Sequence, residues 1–201
     1  MIATALAFAV ASFLIGSIPF GYVIGRFFYR TDIRTQGSGN IGAMNALRTL
    51  GKKGAAAVLL LDAAKGFAPA FAADFWAHSH VLAALAAACA IAGHCFSPWL
   101  GWKGGKGVAT SFGAIFALSW QAGIVAILAW ALGALALTQY SSVGSMLANI
   151  VAPFALWFFT QSIPEVLYGV FAAALIVWSH RENLQRLRAG TENRIGLFSK
   201  K

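Results

Sequence analysis

Apolar runs at 2–24, 54–76, 80–97, 108–138, 145–161 and 164–179 leave this chain almost no polar sequence from which to build a water-facing surface. A bilayer core of about 30 Å is crossed by some 20 helical residues, so runs of this length predict membrane spans. Charged residues make up 10% of the 201. A soluble domain carries roughly 25%, and a water-soluble fold is excluded.

The formal charge of +9 is interleaved with the spans, which argues against a nucleic-acid binder and makes the basic residues reporters of topology and of anionic ligands. Fourteen of the fifteen Lys and Arg residues fall in 26–53, 98–107 and 180–201. The positive-inside bias puts these three segments in the cytoplasm. No Lys or Arg precedes the first apolar run, whereas Arg26, Arg30 and Arg34 follow it. The N-terminus is therefore expected outside, and the first run is not a cleavable signal peptide. Returning from 107 to 180 on the same side requires an even number of crossings. Pro164 breaks the last apolar region, and a further break near Ser119-Trp120-Gln121 makes four crossings there. The expectation is an all-α polytopic membrane protein of about seven helices, forming one domain over 1–201, with a cytoplasmic C-terminus. Segment 138–144 then reaches the same face, with Ser142 in it and Ser145 beside it. The outward turns near 74–80, 119–121 and 161–165 look chemically idle, and His78 and His80 read as solvent histidines.

Gly37-Ser38-Gly39-Asn40-Ile41-Gly42-Ala43-Met44-Asn45, with Arg48 one helical turn beyond, combines a glycine-freed backbone with hydroxyl, amide and guanidinium donors. It reads as half of a phosphate cradle; the alternative is a flexible interfacial turn. Gly101-Trp102-Lys103-Gly104-Gly105-Lys106-Gly107-Val108 opens a helix with lysines among glycines, an arrangement that binds phosphate through point charge, free N–H groups and the helix dipole. It is not a Walker A loop, because Gly107 stands where Ser or Thr is required. The alternative for Lys103 and Lys106 is a pair of snorkelling anchors. His94 lies just ahead of this loop. In the tail, His180, Glu182 and Asn183 open an amphipathic helix, His180 and Asn183 sharing a face.

Asp62 and Lys65, three apart inside a span, predict a mutual ion pair facing the bundle interior, architectural in role. Cys89 and Cys95 fit no metal or redox spacing and read as packing residues. No Asp follows Asp74, no Gly-x-Ser-x-Gly elbow occurs, and the cytoplasmic acids reduce to Asp32, Glu182 and Glu192. A His-x4-Asp acyltransferase signature, a Ser/His/Asp triad and a dedicated metal site are not supported, and no cofactor is demanded.

Ser38-Gly39-Asn40-Ile41-Gly42-Ala43-Met44-Asn45, Gly93-His94-Cys95-Phe96 running into Lys103 to Thr110, and His180-Arg181-Glu182-Asn183 together resemble, in order and spacing, the bacterial acyl-phosphate:glycerol-3-phosphate acyltransferase family. Leu61-Asp62-Ala63-Ala64-Lys65-Gly66 and Tyr140-Ser141-Ser142 fit it too, and the likeness runs along essentially the whole chain. Met44 departs from the family's usual threonine. The resemblance implies transfer of a fatty acyl group from acyl phosphate to the 1-hydroxyl of sn-glycerol 3-phosphate, giving lysophosphatidate and phosphate. It implies a location in the bacterial cytoplasmic membrane among membrane lipids, with the active site on the inner face. By position it places Ser38, Asn40, Lys106, Ser142, His180 and Asn183 at the reacting centre. Gly39, Asn45, Arg48, His94, Lys103, Gly104, Gly105, Gly107, Ser145 and Glu182 are expected to bind substrate. With no evident protein base, the donor's own phosphate oxygen is expected to take the hydroxyl proton. An organic-phosphate transporter and a lipid-binding scaffold are the alternatives from other classes.

Overall fold

The structure, a computed structural model, describes residues 2–195, and among these every regular element is helical. The first apolar run is divided at Ile18-Pro19 into α1 (Ile2–Ser17) and α2 (Phe20–Phe28), a break the run's uniform hydropathy conceals. Proline has no N–H to continue the ladder, so carbonyls ahead of it need other donors. At the break the Ile15 carbonyl takes Ile18 N at 3.3 Å, and the Ile18 carbonyl accepts both Phe20 N at 3.1 Å and Lys65 Nζ at 2.7 Å. The polar segment that follows contains a short helix, α3 (Ala43–Thr49), and leads into the 27-residue α4 (Gly51–Ala77).

Helix α5 (His80–Cys95) is capped by Ser79, and α6 (Val108–Leu118) begins after Gly107, whose φ of 79° lies in the left-handed region. The expected break at 119–121 is present: α6 stops at Leu118, and Ser119 Oγ accepts from Ala122 N at 3.2 Å to start α7 (Trp120–Ala131). A π-helical stretch, Leu132–Leu137, extends α7. Helix α8 (Ser141–Thr160) starts inside the segment read as polar loop, leaving only 138–140 outside regular structure. Helix α9 (Ile163–Ser179) carries Pro164 in its first turn, where the missing N–H costs nothing, and meets α10 (Arg181–Arg188) at a 54° bend.

Five elements are long and apolar enough to cross a membrane: Ile2–Phe28, Gly51–Ala77, His80–Leu100, Trp120–Leu137 and Ser141–Thr160. The bent α9–α10 pair makes a sixth, while the 11-residue α6 falls short. Small residues hold these helices together, as expected where lipid removes the hydrophobic drive between them. A Cβ on Gly66 would lie 1.9 Å from the Thr110 carbonyl oxygen, and one on Gly113 would lie 1.9 Å from that of Ala63. Helices α4 and α6 are thus in backbone contact. The core is alanine-rich, with Ile91, Ile115, Leu156 and Ile176 among its larger members, and bulky Phe75, Trp76, Phe154 and Phe158 stay on the outside.

His80 is exposed, as expected, but it is not without a partner. His80 Nδ1 lies 2.6 Å from Glu165 Oε1, joining the start of α5 to the start of α9 across 85 positions of sequence. Helix packing, which local spacing does not reveal, supplies the carboxylate partner that His80 lacks nearby in the chain.

Candidate active site

The first loop is shaped by Asn45. Its Oδ1 accepts from Ser38 N at 2.8 Å, and its Nδ2 donates to the carbonyls of Ile33 at 2.8 Å and Gln36 at 3.1 Å. Gly37 and Gly39 take φ of 58° and 71°, conformations that L side chains rarely adopt. Asn40 Oδ1 accepts from Gly42 N at 2.9 Å. Asn45 therefore acts on the loop, holding Ser38, Asn40 and Arg48 along the wall of one cavity.

The glycine-lysine loop corrects part of the phosphate-cradle expectation. The N–H groups of Gly104 and Gly105 already donate to the carbonyls of Cys95 and His94, each at 3.0 Å. The glycines permit close approach: a Cβ on Gly104 would sit 1.9 Å from the His94 carbonyl oxygen, and one on Gly105 would sit 2.1 Å from His94 Nε2. The N–H groups left for an anion are those of the first turn of α6. Lys106 and Gly107 line the cavity, whereas Lys103 is exposed and lies off it. One residue of a doublet can face inward only if its neighbours turn the chain, and the Gly104–Gly105 pairing does so.

At the third segment the bend between α9 and α10 buries His180, whose Nδ1 is 2.8 Å from the Ile176 carbonyl. That bond requires Nδ1–H and leaves Nε2 as the acceptor nitrogen. Burial, reinforced by the charge of Lys106, pushes its pKa down to about 4, so His180 is neutral. Lys106 Nζ donates to Asn183 Oδ1. Burial and then the neighbouring Arg186 charge lower the Lys106 pKa to about 8.

A residue outside the expected set ties these groups together. Glu192 Oε1 accepts from Ser142 Oγ at 2.9 Å and from Asn183 Nδ2 at 2.5 Å, while Oε2 accepts from Arg186 Nε at 2.8 Å. Burial alone would raise its pKa, but these hydrogen bonds and the Arg186 charge outweigh it and hold the carboxyl below its usual range. The returning segment is held by Ile195 N donating to the Gln139 carbonyl at 2.8 Å.

The cavity measures about 900 Å³, within the size range of small-molecule sites. Its polar end holds Ser38, Asn40, Arg48, Lys106, Ser142, His180, Asn183 and Arg186; its other end is walled by Leu59, Leu60, Phe67, Phe112, Ile127 and Trp130. Leu60 and Ile127 are exposed on the outer surface at spanning depth, so the apolar end communicates with lipid. The ion pair expected inside the second span is present, Lys65 Nζ to Asp62 Oδ1 at 2.7 Å, both residues being at most 3% exposed. Asp62 also reaches the cavity wall, and His94 Nδ1 lies 3.7 Å from its Oδ1.

Of the expected site residues, Gly39, Lys103, Gly104, Gly105 and Glu182 are not on the cavity wall. Glu182 is exposed, whereas the adjacent Asn183 is buried. Ser145 lines the cavity, but its hydroxyl donates to the Ser141 carbonyl at 2.7 Å. Arg186, Glu192 and Asp62 were not expected there. Arg186, three residues after Asn183, was legible from helical spacing; Glu192 was not, because the chain folds back after the helix ends. Among the described residues no group of His, Cys, Asp and Glu suits a metal ion.

A family model described as Glycerol-3-phosphate acyltransferase matches residues 6–190. A glycerol-3-phosphate acyltransferase of Synechococcus sp. (strain JA-2-3B'a(2-13)) is 46% identical over 193 residues, 96% of each chain. One from Rhodopseudomonas palustris (strain BisB5) is 45% identical, covering 98% of each. The crystal structure of PlsY (YgiH), an integral membrane glycerol 3-phosphate acyltransferase, in its glycerol 3-phosphate form shares 37% identity and a TM-score of 0.90, covering 98% of this chain and 100% of that one. The lysophosphatidic acid form of PlsY aligns with a TM-score of 0.87 at 36% identity, covering 96% of each chain. An all-helical membrane fold, three polar segments closing on one cavity and near-full-length similarity at these levels agree: the chain belongs to the glycerol-3-phosphate acyltransferase family.

Proposed function

We propose that this protein transfers a fatty acyl group from acyl phosphate to the 1-hydroxyl of glycerol 3-phosphate, releasing lysophosphatidate and phosphate. The observation that carries this reading is one cavity with a cationic polar end and an apolar end open to lipid. An acyl phosphate has that same division, and glycerol 3-phosphate adds a second anion. Three cations line the cavity, Arg48, Lys106 and Arg186, against the carboxylates Asp62 and Glu192, and Asp62 is already paired with Lys65. The surplus positive charge suits phosphate-bearing reactants.

In this mechanism the 1-hydroxyl oxygen attacks the acyl carbon and the bond from that carbon to the phosphate oxygen breaks. The departing phosphate takes the hydroxyl proton. Neutral His180 is too weak a base at its lowered pKa to hold that proton, and serves as a hydrogen-bonding group. Ser38, Asn40, Ser142 and Asn183 orient the reactants, Lys106 offsets charge developing on oxygen, and Arg48 holds a phosphate. In this reading α6 completes a set of seven crossings with the N-terminus outside, and the cavity's polar end faces the cytoplasm, in a bacterial inner membrane.

Purified protein in detergent, offered glycerol 3-phosphate with acyl phosphate, acyl-CoA or acylated carrier protein separately, tests the donor. Lysophosphatidate from acyl phosphate alone is expected; product from either of the others alone would overturn the assignment. A second expectation concerns pH. Lys106 carries its charge below about 8 and loses it above. The value of kcat/KM for glycerol 3-phosphate should therefore fall as pH rises through that value, and a Lys106→Arg variant that remains active should not show the fall, since guanidinium stays charged.

A further inference from the structure

We propose that Phe67 and Phe116 form the floor of the acyl channel and set the length of the fatty chain the enzyme prefers, an inference that rests on the acyl-donor reading above. The two rings belong to the walls of two separate hollows. One is the 900 Å³ cavity containing the polar site; the other is a cleft of about 440 Å³ beyond it, toward the α6–α7 break. A hydrocarbon tail whose head lies at Lys106 runs along α6 toward Phe116. From Gly107 that helix rises about 14 Å to Phe116 at 1.5 Å per residue.

Past the rings the surroundings change. On the near side the walls are Phe112, Ile127 and Trp130; on the far side apolar Phe71, Leu118, Trp120 and Phe159 are joined by Ser119, Gln121 and Thr160. Each methylene buried against the near wall contributes favourably, and with the rings in place a longer tail is stopped short of the apolar side chains of the far cleft. The floor is also firm. A Cβ built on Gly123 would lie 2.6 Å from Phe116 Cγ, so the α7 backbone stands directly behind that ring. Phe67 stacks on Phe71 with centroids 5.4 Å apart and planes 13° apart. Neither ring has open space to retreat into along those directions.

The test is a series of lauroyl, myristoyl, palmitoyl and stearoyl phosphates at fixed glycerol 3-phosphate. In the parent enzyme kcat/KM should rise with chain length and then fall once the tail reaches the rings. Phe116→Ala joins the two hollows, and the stearoyl-to-myristoyl ratio of kcat/KM should increase by about tenfold or more, from the burial of added methylenes. Phe116→Leu should lie between, and KM for glycerol 3-phosphate should be unchanged in both. Phe154→Ala, an exposed site on neither wall, should keep the parent ratio. If Phe116→Ala does not fold, Phe67→Ala on the half-exposed partner carries the same expectation. An unchanged ratio in a variant with parental KM for glycerol 3-phosphate overturns the proposal. Failure of the donor reading looks different: no acyl phosphate of any length is used, and the chain-length ratio is then measured with the donor that does support turnover.

Discussion

Lys106→Ala should lower kcat/KM for glycerol 3-phosphate by about 10²- to 10³-fold, the range found when one preorganised charge-stabilising donor is removed from an active site. Lys103→Ala, three residues away in the same loop, should stay near the parent value. The contrast follows from placement: Lys106 is half-buried beside Asn183 on the cavity wall, whereas Lys103 is exposed and off it. Steady-state kinetics with both substrates varied separates the outcomes. A loss confined to KM would mean that Lys106 only binds; a loss in kcat as well places it where charge develops in the transition state. Equal losses in the two variants would show the loop to be acting through general surface charge, and would remove the lysine from the reacting centre.

Asp62→Ala should be the most destabilising single change on the cavity wall. It leaves Lys65 buried with the Ile18 carbonyl and the face of the Phe20 ring as neighbours and no carboxylate to offset its charge. Breaking a buried ion pair by deleting one member costs about 3–5 kcal/mol, because the remaining charge is uncompensated. For a chain of this size that corresponds to a fall in Tm on the order of 10 °C. Thermal unfolding in detergent measures it. Replacing both members, Asp62→Ala with Lys65→Met, should recover part of the loss. A single variant as stable as the parent would mean that the pair is not ionised in the folded protein.

Much of this architecture was legible beforehand because bilayer thickness fixes how many apolar residues a crossing needs, and because proline and serine punctuate the runs. The break at Ser119 followed from charge parity alone, and the helix does stop at Leu118. The division at Ile18-Pro19 was concealed by its apolar surroundings, and the bond from Lys65, 47 residues away, to the Ile18 carbonyl at that break has no local signature. The cavity wall was legible where a residue type carries its own chemistry, as for Lys106, Ser142, His180 and Asn183, which all line it. It was misread at Gly104 and Gly105, whose small size serves backbone approach to His94 and Cys95 while their N–H groups pair internally. Glu192 was beyond reach for a different reason: its importance lies in a chain reversal, and no periodicity extends through one.

That reversal separates two properties of the molecule that are easily confused. A chain trimmed after Arg188 would retain α1 to α10, yet the carboxylate that braces Ser142, Asn183 and Arg186 would be gone. Membrane integration and yield would then report success while the polar side chains stood unguided. For this fold, expression level is a poor proxy for competence whenever the segment that carries Glu192 is altered.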